Sequence, residues 1–146
     1  MSNILLIEDN QNNADIMKRV LKRNNHTVFH SSEGLVGLEI AAKEQIDIAL
    51  VDLGLPDVAG ATMVALIKRL PKEVPVVVVT ASYNQEDWRQ VVNRGIIGYM
   101  TKPINTRTFA TEVEKFLAQA TKNASSKDED DKEKPSSSES AVSLLF

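Results

Sequence analysis

The sequence predicts an α/β domain built around a doubly wound parallel sheet, and three observations lead there. Short, largely β-branched apolar runs at residues 4–7, 46–51, 76–79 and, more weakly, 98–100 are bounded by polar or turn residues and read as buried strands. Between them, apolar residues recur at helical spacing. Finally, polar residues close the runs: the pair Glu8 and Asp9, then Asp52, Thr80 and Lys102, each at a downstream end.

Taken in order, the run Ile4, Leu5, Leu6, Ile7 is apolar on both faces, as expected of a strand covered on both sides. Ala14, Met17 and Leu21 then mark one helical stripe, and Leu35, Leu38 and Ala42 a second. After the run at 46–51 comes a third stripe, Met63, Leu66, Ile67 and Leu70; after 76–79, Trp88 stands near the start of a fourth helix. The run at 98–100 leads to the last stripe, Phe109, Val113, Phe116 and Ala120. Strands alternating with helices imply right-handed crossovers and parallel pairing. Ligands of such sheets bind beyond the carboxyl ends of the strands, so the placement of the polar residues is itself a site prediction.

Composition bounds the possibilities. A chain of 146 residues with 42% hydrophobic content fits one domain with an ample core. The formal net charge is −3 and Lys and Arg form no dense stripe, so nucleic acid is not an expected partner. The absence of cysteine excludes disulfides and thiolate metal sites and fits a reducing compartment. The N-terminus enters a strand without a targeting pattern and no apolar run reaches membrane-spanning length, so a soluble, cytoplasmic protein without membrane insertion is expected.

A boundary is expected near Thr121, giving a folded domain over 1–121 and a disordered tail over 122–146. Residues 122–139 carry no aliphatic or aromatic side chain larger than Ala and cannot offset ordering entropy by burial. The tail holds four Lys against six Asp or Glu, leaving 13 basic and 14 acidic residues in the domain. Residues 141–146 turn apolar again, either as incidental sequence or as a docking peptide for a tail-binding partner.

Glu8, Asp9 and Asp52 would bring three carboxylates together, an unfavourable arrangement unless a cation neutralises them. Oxygen ligands without His or Cys suit Mg²⁺, which accepts phosphate oxygens in its remaining positions. The Lys102 ammonium and Thr80 hydroxyl complete a cradle for a phosphoryl group. Asp52 is the candidate nucleophile, with Glu8 and Asp9 better placed as metal ligands, so covalent aspartyl phosphorylation is the expected chemistry.

From Asn3 to about Ala120 the chain resembles the response-regulator receiver domains of two-component signalling, of the CheY and DivK type. The motifs are Ile7-Glu8-Asp9-Asn10, Asp52-Leu53-Gly54-Leu55-Pro56 through Gly60, Thr80-Ala81 and Lys102-Pro103. The resemblance implies a flavodoxin-like sheet of five strands in the order 2-1-3-4-5 with five helices. It implies that Asp52 takes its phosphoryl group from a sensor histidine kinase or phosphotransfer protein. Asp9, Asp52 and the Gly54 carbonyl would bind Mg²⁺, with Glu8 helping through water. Lys102 would pair with Asp52 and then with the phosphoryl, and Thr80 would donate to it. Tyr99 matches the switch aromatic, whose movement reshapes the face made by the fourth helix, fifth strand and fifth helix, where a downstream protein binds. The Lys102-Pro103 bond would be cis. A stand-alone signalling domain, catalysing only its own phosphorylation and dephosphorylation, is the expectation.

Two other readings use the same residues. A haloacid-dehalogenase-type phosphatase also uses a strand-end Asp with Mg²⁺, but it needs a second Asp two residues on, where this chain has Gly54. A scaffold or localisation adaptor would use the fold and the apolar tail end for binding. Gly54 and Ser82, both small, would leave a phosphoryl group open to water and shorten its lifetime. His26 and His30, with no third ligand near, are expected to be surface residues.

Overall fold

The computed structural model describes residues 1–81, 89, 91–92 and 94–133. Along the chain run β1 (Asn3–Ile7), α1 (Gln11–Arg23), β2 (Thr27–Ser31), α2 (Gly34–Lys43), β3 (Ile48–Asp52), α3 (Gly60–Lys68), β4 (Val76–Thr80) and β5 (Gly98–Thr101), then a last helix, α4 (Phe109–Glu133). All strand pairs are parallel and their order is β2-β1-β3-β4-β5, the expected topology. The α4 helix is the fifth of the five expected. The fourth lies largely outside the described residues, although Arg89, Val91 and Val92 are helical.

Alternation along the strands divides the core into two layers. Leu5, Ile7, Ala49, Val51, Val76 and Val78 face α2 and α3. Ile4, Leu6, Ile48, Leu50, Val77 and Val79 face α1 and α4, where Met17, Leu21, Phe109 and Val113 close over them. Coverage on both sides is why these strands read as unbroken apolar runs. β2 is an edge strand with an exposed Thr27 and half-buried Val28 and Phe29, so it shows no such run.

Helix α1 begins where the Asn10 side chain accepts from the Asn13 N–H at 3.0 Å. Helix α2 corrects one reading of the sequence. Its buried residues are Gly34, Gly37 and Ala41, whereas Leu35 and Ala42 of the expected stripe are exposed. The cause is close packing: a Cβ on Gly37 would come within 2.6 Å of Ile7 Cδ1, so small residues must face the sheet.

The last helix extends into the segment that follows Thr121. α4 continues past Thr121 to Glu133, through a stretch with no Gly or Pro before Pro135. The apolar end at 141–146 lies outside the described residues. Among the described residues, no helix is long and apolar enough to cross a membrane.

The register positions the site. Ile7 lies opposite Ser31 and Val51, Asp52 opposite Val79, and Thr80 opposite Thr101. Residues that follow or end β1, β3, β4 and β5 therefore reach one edge of the sheet.

Candidate functional site

Glu8 follows β1 directly and is 1% exposed. Its N–H donates to the Ser31 carbonyl at 3.0 Å, extending the β1–β2 ladder, and His30 Nε2–H donates to its carbonyl at 3.0 Å. Asp52, the last residue of β3, is also buried. Its Oδ1 accepts from the Gly54 N–H at 3.0 Å and its Oδ2 from Lys102 Nζ at 3.2 Å. The same ammonium contacts Glu8 Oε1, so one cation holds two buried carboxylates. Lys102 is aimed there by the turn after β5, where its N–H donates to the Thr80 carbonyl at 2.9 Å and the Lys102-Pro103 bond is cis. Thr80, buried at the end of β4, stands beside this turn. Asp9 is exposed at the mouth, and the carboxylates of Glu8, Asp9 and Asp52 bring oxygens within 4.8 Å of one another.

The electrostatics follow from this crowding. Burial pushes the Glu8 carboxyl up to about 7, and the hydrogen bond and charge of Asp52 add to the rise while Lys102 opposes it. For Asp52, burial acts upward but is outweighed by hydrogen bonds from Glu8 and Gly54 and by the Lys102 charge, so its carboxyl lies below the ordinary range. Burial would lower the Lys102 ammonium, yet its two carboxylate partners raise it. The pocket thus favours the ionised form of Asp52 and the protonated form of its neighbour Glu8. A donor set made only of oxygen, with more negative charge than Lys102 can balance, fits a hard divalent cation. The chemistry available is nucleophilic attack by a strand-end carboxylate beside the Lys102 ammonium, with the excess negative charge left for a cation to balance.

The structure brings Glu8, Asp9, Asp52 and Lys102 into one pocket, with Thr80 and Gly54 adjoining. Tyr99 lies away from it on β5, 48% exposed, at the rim of a groove of about 700 Å³ between β5 and α4 that Ile104, Lys115 and Phe116 also line. Ser82 and Trp88 lie outside the described residues. Both histidines depart from the surface placement expected of them. His26 is buried, its Nε2 3.4 Å from the Glu114 carboxylate of α4, and His30 is half-buried against the Glu8 carbonyl. The His30 contact was not legible in the sequence, because it depends on the β1–β2 register.

The sequence pattern of the response regulator receiver domain matches residues 4–114. The polar-differentiation response regulator DivK of Brucella ovis is 25% identical over 119 residues, covering 80% of this chain and 97% of its own. A CheY-like receiver domain protein from Methanospirillum hungatei JF-1 superposes with a TM-score of 0.79 at 24% identity, covering 84% of this chain and 98% of that one. The receiver domain of a sensor histidine kinase from Pseudomonas aeruginosa PAO1, solved with a magnesium ion coordinated in its active-site cleft, gives a TM-score of 0.73 at 24% identity. The match covers 80% of this chain and 98% of that domain. At these identities the two structures attest the fold.

Proposed function

We propose, from the premise that the chain belongs to the response regulator receiver domain family, that Asp52 accepts a phosphoryl group from a phosphohistidine. The donor is a sensor histidine kinase or a phosphotransfer protein. The observation that carries this reading is the meeting of Lys102 with Glu8 and Asp52, beside Asp9, at the carboxyl edge of the sheet. Such domains are signalling modules and not conventional enzymes; the chemistry is limited to gaining and losing their own phosphoryl group. A cytoplasmic site of action goes with that role.

In the transfer, an Asp52 carboxylate oxygen attacks phosphorus, a P–O bond forms, the P–N bond to the donor imidazole breaks, and the imidazole departs with the electron pair. Gly54 N–H and Lys102 each bind one of the two Asp52 oxygens before attack, which fixes the rotation of the carboxylate. The Lys102 ammonium then follows the charge onto the phosphoryl oxygens, and the Thr80 hydroxyl donates to one of them. Asp9, Asp52 and the Gly54 carbonyl are the direct ligands in this reading, and Glu8 acts through water. Bound Mg²⁺ supplies neutralisation of the charge gathered on the phosphoryl oxygens.

Engagement of Thr80 by the phosphoryl draws the Tyr99 ring inward and reshapes the groove between β5 and α4. This face, with the helix preceding β5, is the docking surface for a downstream protein. Signalling is a population shift: the phosphorylated state and the partner favour the same conformation and so reinforce each other. The test is intact-mass analysis after incubation with Mg²⁺ and acetyl phosphate. One base-labile phosphoryl adduct is expected, lost in Asp52→Asn and in the presence of a chelator. No adduct, together with no beryllofluoride binding, would overturn the reading.

A further inference from the structure

Helix α2 starts without a cap of its own. Glu33 precedes it in extended conformation, but its side chain makes no capping hydrogen bond, which leaves the first amides without a local partner. A residue from another loop supplies one. Asp57, between β3 and α3, accepts from the Gly34 N–H at 2.8 Å through Oδ1 and from the Leu35 N–H at 3.1 Å through Oδ2. The negative side chain also meets the positive end of the helix.

The same loop carries Gly54, whose N–H is bonded to Asp52. At its end Gly60 is pressed onto Leu53, where a Cβ would come within 2.5 Å of the Leu53 Cα. Leu55 is buried beneath the loop, but Gly54, Pro56 and Asp57 are exposed. The outer part of the loop is therefore tied across to α2 through Asp57.

We propose that Asp57 is a positioning residue: by holding the first two amides of α2 it fixes where Gly54 presents its carbonyl, and so sets the Mg²⁺ affinity of the pocket from outside it. This rests on the reading in which the Gly54 carbonyl is a metal ligand. It assigns Asp57 no contact with the ion or the phosphoryl group.

The experiment measures Mg²⁺ binding by calorimetry on the full chain for the wild type, Asp57→Ala and Asp57→Asn, with amide exchange at Gly54 and Leu55 followed in the metal-free proteins. Asp57→Ala should weaken Mg²⁺ binding about tenfold, and accelerate exchange at Gly54. Asp57→Asn, which retains an acceptor oxygen, should fall between. Should Asp57→Ala fail to fold, the Asn variant alone carries the comparison. A lowered melting temperature with unchanged Mg²⁺ affinity would reduce Asp57 to a helix cap and overturn the proposal. If the wild type binds no Mg²⁺, the metal reading fails instead, and the exchange at Gly54 still decides whether Asp57 holds the loop.

Discussion

Replacing Glu8 with glutamine should stabilise the metal-free protein at pH 8 and leave its stability unchanged near pH 4.5. Glu8 is 1% exposed, and burial, aided by Asp52 and opposed by Lys102, moves its carboxyl from 4.5 to about 7. The unfolded chain gives up this proton near 4.5, so between the two values the folded state binds more protons and stability falls as pH rises. A difference of about 2.5 units at 1.36 kcal/mol per unit amounts to about 3 kcal/mol, fully expressed above pH 7. Glutamine keeps the shape and cannot ionise, so the wild type should lose about that much relative to the variant between pH 5 and 8. Saturating Mg²⁺ should narrow the gap by favouring the ionised carboxylate. Asp52 does not interfere: with its carboxyl held low, its stabilising contribution is lost only as pH falls below its unfolded value near 3.8, outside the window. The assay is urea unfolding across this range in chelator. A gap that stays flat from pH 5 to 8 would mean that Glu8 is ionised throughout, and would refute the reasoning.

Lys102→Ala should slow phosphorylation by acetyl phosphate about a hundredfold or more, since it removes a charged donor aimed at the reacting oxygens; an intact-mass time course within threefold of wild type would take the ammonium out of the mechanism. Gly37→Ala should cost about 1–3 kcal/mol in denaturant unfolding, because the added methyl meets Ile7 within 2.6 Å and lifts α2 off the sheet. An unchanged midpoint would show that Ile7 yields freely. A chain ending at Thr121 should unfold within about 0.5 kcal/mol of the full chain, the size of a surface effect, since Ala120 is the last buried side chain among the described residues; a larger loss would make 122–133 part of the domain.

The polar pocket was legible because a parallel sheet sends every strand end to one edge, so Glu8, Asp52, Thr80 and Lys102 needed only their places after apolar runs to be grouped. β1, β3 and β4 were legible for the related reason that strands buried on both faces cannot alternate. β2 escaped the pattern, since an edge strand with an exposed Thr27 does not have to be apolar throughout. α2 misled in the opposite sense. Its largest side chains suggested the buried stripe, yet a helix seated this close to Ile7 must turn Gly34, Gly37 and Ala41 inward. The ties behind the pocket were not legible either: His30 on the Glu8 carbonyl and Asp57 on the α2 amides join residues 22 or 23 positions apart through backbone groups that every residue type but proline provides in full. Composition cannot reveal such bonds, because their existence depends on register. The course of α4 past Ala120 shows a last distinction. Loss of apolar side chains marks where a core ends, whereas a helix ends where its backbone is interrupted, and this sequence offers no Gly or Pro until Pro135. The two criteria coincide only when a breaker residue follows the last buried one, and after Ala120 none does.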